Sequence, residues 1–355
     1  MQGVTMKRWM CGGILVWAWT QVLWAYNPPV SGERMDQLIG ATALTRAGSS
    51  AGGALFLAEP HSVLFNPALT ADEQRIAVQA SGTFISAPRD VHRSGGAFQA
   101  GVVAPWKWFI GTAVVRGNFA PFERFATGNT LGVTFGAAKN VTEHFSVGMT
   151  FSGGAFWGAG NDWLLEAGFG ALFRFPRLGF LSDVRVGVSV LHLGKTYTAT
   201  TLPGAYTPSR TADMFPGIGM LKLGAGALFV DTKRFDLGMT LDLSFPSFEN
   251  CIVDVGLEFS IIDAVYVSVA ESFNIRELVS HYRDVMPSVS IGYRFIFKTG
   301  GAQVLAARGW QESEMRVELG WKNLYEQTNA FSGDVLLKFG TQDTEPPVIE
   351  LWGGE

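Results

Sequence analysis

The stretch FSVGMTFSGG, residues 145–154, decides the fold of this chain, because apolar residues alternate along it with small or polar residues. The apolar set is Phe145, Val147, Met149 and Phe151, and the other set is Ser146, Gly148, Thr150 and Ser152. A period of two places each set on one face of a β-strand. The same alternation recurs in FDLGMTLDLS, residues 235–244, and in VDVGLEFSI, residues 253–261.

Such segments run to about ten residues, which suits a tilted strand that crosses a bilayer and exceeds the five or six typical of soluble sheets. We predict about fourteen of them, and an even number is usual for bacterial barrels. They lie near 75–86, 94–104, 108–116, 129–139, 145–154, 163–175, 182–194, 218–230, 235–244, 251–261, 264–273, 286–297, 315–322 and 330–340. The predicted fold class is all-β, a transmembrane antiparallel β-barrel of about 14 strands with an N-terminal plug.

The composition agrees with a barrel in lipid. Of the 355 residues, 47% are hydrophobic and only 16% are charged, and 43 Gly and 27 Phe are present. A large soluble β-protein would be the alternative source of the same alternation. The formal net charge of -4 gives no electrostatic case for nucleic acid as a partner. Aromatic residues near strand ends, such as Trp106 and Trp108, are typical of the girdles of membrane barrels.

The N-terminus predicts export. Met6-Lys7-Arg8 is followed by an apolar stretch, Trp9 to Ala25, so residues 1–25 are expected to be a signal peptide; an uncleaved anchor helix is the alternative. The mature chain then holds one cysteine, Cys251, which excludes an intrachain disulfide. We expect the cell outer membrane as the location. The predicted division is a signal peptide at 1–25, a hatch or plug at 26–71, a barrel at 72–340 and a periplasmic tail at 341–355.

The segment before the first strand is apolar and lacks sustained alternation, so it is suited to fold into the lumen of the barrel. A barrel of this size leaves a lumen that is either filled or becomes a pore. In the tripeptide Asn66-Pro67-Ala68, Pro67 holds Asn66 extended. The Asn66 side chain is then expected to bond backbone groups that an irregular segment would leave unpaired. The alternative is an ordinary turn that leads into the first strand.

Gly52-Gly53, Ala58 and Asn66-Pro67-Ala68 before a fourteen-strand pattern resemble the FadL family of long-chain fatty-acid transporters. The likeness is greater to the spirochaetal FadL-like proteins, with PorV/PorQ-type relatives in the wider group. The resemblance implies an N-terminal hatch and passive uptake of hydrophobic ligands. It suggests a ligand path along Phe56, Leu57, Leu64 and Phe65. A gate is implied where the third strand ends, at Gly117 and Asn118.

No catalytic pattern is visible. The five histidines have no metal spacing, and the chain has neither Gly-x-Ser-x-Gly nor a phosphate loop. We therefore expect no enzyme activity, no metal and no cofactor. The expected partners are membrane lipids and a hydrophobic small molecule, with long-chain fatty acids as the expected ligands. The alternatives are a docking barrel for envelope proteins, with contacts at 195–217, at 274–285 and in the Pro-Pro tail, and a general diffusion porin.

Overall fold

The fold is taken from a computed structural model of the chain. It describes residues 39–45, 49–88, 93–120, 128–157, 161–195, 197–198, 214–215, 219–246, 248, 250–275, 278, 287–298, 312–323 and 328–340. The predicted signal peptide, the predicted tail and the middle of the long 298–314 connection lie outside these residues.

Fourteen antiparallel strands form a closed barrel, in which β1 pairs with β16 and β7 pairs with β10. Strands β8 and β9 form a separate two-stranded sheet. The strands are β1 Ile76–Ser86, β2 Ser94–Pro105, β3 Ile110–Ala120, β4 Gly128–Thr142, β5 Phe145–Trp157, β6 Asn161–Leu178, β7 Leu181–Lys195, β8 Tyr197–Thr198, β9 Met214–Phe215, β10 Met220–Asp231, β11 Phe235–Pro246, β12 Ile252–Ile261, β13 Val265–Asn274, β14 Ser288–Lys298, β15 Glu312–Asn323 and β16 Asn329–Phe339.

The fourteen barrel strands confirm the fourteen predicted segments, including their alternation. In β5, the side chains of Met149 and Phe151 point outward and are 52% and 53% exposed, whereas Thr150 and Ser152 point inward and are buried. The other strands repeat this arrangement, so the outer surface of the barrel is a continuous apolar belt. Among the described residues, no helix is both long and apolar enough to cross a membrane.

The two ends of the barrel differ. Short turns at 106–109, 143–144, 179–180, 232–234 and 262–264 lie at one end, which we call the turn end, and the longer connection 299–311 between β14 and β15 is the exception there. The longer connections 121–127, 196–219 and 275–287 leave from the opposite loop end. This asymmetry is the one expected of bacterial membrane barrels, in which the short turns face the periplasm.

One predicted boundary was wrong. The sequence predicts a third strand that ends at Arg116, whereas β3 continues to Ala120 and pairs with both neighbours there. Gly117 faces outward, and a Cβ atom on it would lie 2.9 Å from Cζ of Phe98. The missing side chain therefore makes room for the ring of a neighbouring strand and does not interrupt pairing.

The residues before β1 lie inside the barrel. This inner segment, defined as the described residues 39–45 and 49–75, contains a short helix α1, Ala41–Thr45, and two 3-10 helices, Pro60–Leu64 and Pro67–Asp72. Helix α1 packs on strands β13 to β16, and the second 3-10 helix packs on β3 to β6. Most of its side chains are buried, so the segment and the inward faces of the strands share one interior.

Candidate functional site

Asn66 connects the inner segment to itself and to the wall. Its side-chain oxygen accepts a hydrogen bond from the backbone nitrogen of Ala68 at 3.0 Å and so caps the second 3-10 helix. Its amide nitrogen donates to the backbone oxygen of Ser50 at 2.8 Å and to that of Ala171, in β6, at 2.9 Å. Asn66 is fully buried. The backbone bonding expected of Asn66 from the sequence is therefore present.

Inward glycines let the inner segment approach the wall closely. A Cβ atom at Gly148 would lie 2.6 Å from the backbone nitrogen of Ala68, and one at Gly101 would lie 2.8 Å from Cβ of Pro60. A gap below 3.0 Å leaves no room for a methyl group unless the neighbouring backbone moves. Further inward glycines in the same situation are Gly136, Gly170, Gly187, Gly224, Gly226 and Gly238. These eight inward glycines are thus explained by contact with the inner segment.

The Gly52-Gly53 pair forms a sharp turn within the inner segment. Both residues have positive φ, +84° and +85°, which other L residues rarely adopt. The ring of Phe56 packs on Gly52 and lies 4.1 Å from the Arg174 guanidinium carbon. The turn therefore directs Phe56 toward the turn end, where a cationic side chain covers its ring.

Ion pairs hold the end of the inner segment at the turn end. Glu73 pairs with Arg75 at 2.8 Å and with Lys338 of β16 at 2.6 Å, and Arg75 also lies 3.4 Å from Glu314 of β15. Burial alone would raise the pKa of Glu73, but the charges of Lys338 and Arg75 outweigh it and lower the pKa. Glu73 is therefore ionised at neutral pH and connects the segment to the last two strands.

A second group of contacts acts on the other side of the same end. Asp72 forms an ion pair with Arg174 of β6 and accepts a hydrogen bond of 2.6 Å from the side chain of Asn140 in β4. The adjacent residues Asp72 and Glu73 thus attach the end of the inner segment to strands on both sides of β1.

The centre of the lumen is polar. The side-chain nitrogen of Gln79 donates to both Glu59 of the inner segment, at 2.8 Å, and Asp334 of β16, at 3.0 Å. Arg316 lies 3.2 Å from Glu258. These groups place charged and amide side chains in the middle of the lumen. The described residues also contain no cluster of three or more metal-ligating side chains.

A small cavity of about 20 Å³ lies in the loop-end half of the lumen, against the first 3-10 helix. We call it the loop-end cavity. Its apolar side is formed by Val63, Leu64, Ala167 and Leu191, and its polar side by Arg116, Thr134, Thr150, Ser152, Glu166 and His192. The cavity therefore combines an apolar surface of the inner segment with polar groups from five strands.

A bulge in β7 shapes this cavity. Ala167 pairs with Leu193 and Phe169 pairs with Val190, so two residues of β7 lie opposite Gly168 alone. His192 in the bulge has a positive φ of 59°, and its side chain turns inward. The bulge brings an additional polar side chain to the wall of the cavity.

Three charged or ionisable groups meet beside the bulge. His192 Nδ1 lies 3.0 Å from one carboxylate oxygen of Glu166, and Arg116 lies 3.9 Å from the other. Glu166 is 3% and His192 is 5% exposed. The donors of Arg116 and His192 give the cavity a place for an anionic or hydrogen-bond-accepting group next to an apolar surface.

The residues of the predicted ligand path lie at two cavities. Leu64 lines the loop-end cavity, whereas Leu57 and Phe65 line a second cavity within the inner segment. Phe65 also packs with Val63 and Leu64 in a buried apolar cluster. Phe56 packs instead on a cluster formed by Ala68, Leu69 and Leu172. The sequence did not single out Arg116, Glu166 or His192 as a group, because three different strands supply them.

No family model matches this sequence, and no curated protein matches it. Two solved structures have a similar fold. The first is the CymD monoaromatic hydrocarbon channel, with a TM-score of 0.51 and 11% identity over 86% of this chain and 98% of that chain. The second is a FadL homologue of Pseudomonas aeruginosa, with a TM-score of 0.50 and 12% identity over 88% of this chain and 99% of that chain. The chain therefore has the fold of FadL-like outer-membrane barrels; the likeness to spirochaetal and PorV/PorQ-type proteins stays a prediction.

Proposed function

We propose that this protein is an outer-membrane barrel that takes up hydrophobic molecules passively, with long-chain fatty acids as the ligands. The observation that carries the proposal is the loop-end cavity, in which an apolar surface of the inner segment faces Arg116 and His192. The names of the two similar structures support the same class of ligand, since one is a hydrocarbon channel and the other a FadL homologue. The outward apolar belt supports the location in a membrane.

A fatty acid suits this cavity in chemistry, but the cavity has to widen to admit it. Its carboxylate would accept hydrogen bonds from Arg116 and His192, and its chain would lie on Val63, Leu64 and Leu191. The free space of about 20 Å³ is little more than one water molecule needs, and it is far below the range of about 300–1,000 Å³ that is usual for ligand pockets. Entry of a ligand therefore requires the inner segment to shift.

Residues 26–71 are proposed to act as the hatch, held in place at Asn66, Pro67 and Ala68. Because close contacts fix the segment along much of the wall, we expect a local shift around these residues and not expulsion of the whole segment. No energy source is implied, since the ligand follows its concentration gradient.

The gate at Gly117 and Asn118 is proposed to open by local separation of β2 and β3. Asn118 pairs with Ala97 across this seam. A disulfide formed by the double variant Ala97→Cys and Asn118→Cys would hold the seam closed. Uptake that is lost on oxidation and restored by a reductant would support the gate, and uptake that is indifferent to the disulfide would refute it.

Uptake of radiolabelled oleate into liposomes that contain the purified protein tests the main proposal. We expect uptake above that of empty liposomes, with a lower rate in an Arg116→Leu variant. Uptake no faster than in empty liposomes would remove the transport function.

The alternative function is a docking barrel for envelope proteins. Its proposed contact surfaces lie in connections largely outside the described residues. A protein partner recovered in stoichiometric amount from membranes, together with no binding of oleate, would favour this alternative.

A further inference from the structure

The turn between β2 and β3 carries an unusual set of exposed side chains at the turn end of the barrel. Trp106, Trp108 and Phe109 are 63%, 58% and 38% exposed. The rings of Trp106 and Phe109 stack at a centroid distance of 6.1 Å with an angle of only 5° between their planes. The turn is also tight, because the backbone nitrogen of Trp106 donates to the oxygen of Phe109 at 2.9 Å. The hydrogen-bonded turn therefore holds the aromatic rings in place at the surface.

Two lysines converge on Trp108 in this turn. Lys139 of β4 reaches up to the turn, and its ammonium donates to the backbone oxygen of Trp108 at 2.8 Å. The ammonium of Lys107 lies 5.6 Å from the centroid of the Trp108 ring. Within the described part of the chain, no carboxylate lies within 4.0 Å of either ammonium. The two positive charges thus lie at one residue, Lys139 at its backbone oxygen and Lys107 over its ring, and an anion beside them would be attracted by both.

The position of Lys139 on β4 shows how deep in the membrane this group of side chains lies. On the outward face of β4, the four apolar residues Leu131, Val133, Phe135 and Ala137 precede Lys139. Eight residues at about 3.4 Å each, on a strand tilted by about 40°, span roughly 20 Å along the barrel axis. The apolar band of such barrels is about 25 Å tall. Lys139 therefore lies at the border of the band, where lipid headgroups begin.

Small residues continue the patch into the apolar belt. Gly111 of β3 pairs with Ala137 of β4, and both face outward. A Cβ atom at Gly111 would lie 3.0 Å from the indole nitrogen of Trp106, so the indole rests directly on this small residue. Phe135, on the same outward face of β4, is 59% exposed. The apolar surface next to the lysines is therefore open to an acyl chain of the lipid whose headgroup they meet.

We propose that Trp106, Lys107, Trp108 and Lys139 bind the headgroup of an anionic phospholipid in the periplasmic leaflet. The lysines neutralise the phosphodiester, and the exposed aromatic rings contact the lipid where the apolar belt meets the headgroups. This inference rests on the proposed membrane location but is independent of ligand uptake.

Native mass spectrometry of the detergent-solubilised protein tests the site. Phosphatidylglycerol and phosphatidylcholine with identical acyl chains are added in equal amounts. We expect the unaltered protein to retain at least one phosphatidylglycerol in preference to phosphatidylcholine. Equal retention of the two lipids would overturn the proposal without the need for any variant. Displacement of the lipid by an equal concentration of inorganic phosphate would likewise overturn it, since the acyl chain would then contribute nothing.

The double variant Lys107→Gln and Lys139→Gln is expected to bind phosphatidylglycerol at least about tenfold more weakly. Lys233→Gln is the matched control, because Lys233 is an exposed lysine in another short turn and has no aromatic ring contact among the described residues. A preference that survives in the double variant, or that is lost to the same extent in the control, would contradict the site. Oleate uptake by the double variant should equal that of the unaltered protein, so the two proposals fail separately.

Discussion

Replacement of Asn66 by alanine is expected to loosen the inner segment and to make the barrel leak ions. Three hydrogen bonds, of 2.8, 2.9 and 3.0 Å, are lost from a fully buried side chain. Two of the groups that lose a hydrogen bond, the Ser50 oxygen and the Ala68 nitrogen, lie in the inner segment. Each buried group that is left unsatisfied costs about 1–3 kcal/mol, so the two together destabilise the attached state by roughly 2–6 kcal/mol.

That loss translates into a large change in population, because each 1.4 kcal/mol is a factor of ten. The fraction of barrels with a displaced segment is therefore expected to rise at least about thirtyfold. Single-channel recording in a planar bilayer measures this fraction directly as the frequency of ion-conducting events. The unaltered protein should show rare events, and Asn66→Ala should show frequent ones.

The matched control is Asn250→Ala. Asn250 is also a buried asparagine, but its side chain bonds Asn274 and the backbone nitrogen of Cys251, and both lie in the barrel wall. This variant should conduct as rarely as the unaltered protein. If Asn66→Ala conducts no more often than Asn250→Ala, the inner segment does not depend on Asn66 and the reasoning is refuted.

Three further predictions concern the same interior. Glu73→Gln should lower the free energy of unfolding by about 3–5 kcal/mol at pH 7, because Arg75 and Lys338 lose their buried partner. The pKa of Glu73 is lowered in the folded protein, so its contribution to stability vanishes as pH falls through that pKa. The unfolding free energies of the two proteins in urea should therefore converge in acid, and a difference that stays constant with pH would be contrary evidence. Gly148→Ala should displace the inner segment and raise the rate at which added protease cleaves it. Gly153→Ala in the same strand should not, because no atom lies within 4 Å of the new Cβ. Equal cleavage of the two variants would show that the contact at Gly148 does not position the segment. Arg116→Leu should weaken oleate binding at least about tenfold, because a charge-assisted bond worth about 1.5 kcal/mol or more is lost. Binding of methyl oleate should be unaffected. Both affinities are measured by displacement of a fluorescent lipid, and an equal effect on the two ligands would exclude a carboxylate contact.

Much of the barrel was predictable because the period-two pattern is a local property of the sequence. Each predicted segment overlaps one barrel strand, since outward and inward residues alternate along most of it, as Phe151 and Ser152 do in β5. The boundary of β3 was wrong for a reason that is not local. Gly117 looked like a strand breaker, but the ring of Phe98 from the adjacent strand occupies the space above it.

The candidate site was less predictable. Asn66 was found from the sequence because the next residue, Pro67, restricts its backbone and leaves its side chain near unpaired amides. Arg116, Glu166 and His192 were not, since their proximity depends on the register of β3, β6 and β7 and on a bulge of two residues. In the HLGK sequence that follows Leu191, His192 and Gly194 have positive φ. The glycine in this short sequence is the local signal of the bulge.

The ion pairs of Glu73 have a consequence for the closure of the barrel. The barrel is closed by the pairing of its first strand with its last. Lys338, which pairs with Glu73, and the backbone oxygen of Gly340, which accepts a hydrogen bond from Arg75, lie at the end of that last strand. Sealing the wall and fixing its contents therefore depend on the same few residues. A chain cut before Asn329 would lose the seam and the anchorage of its interior together.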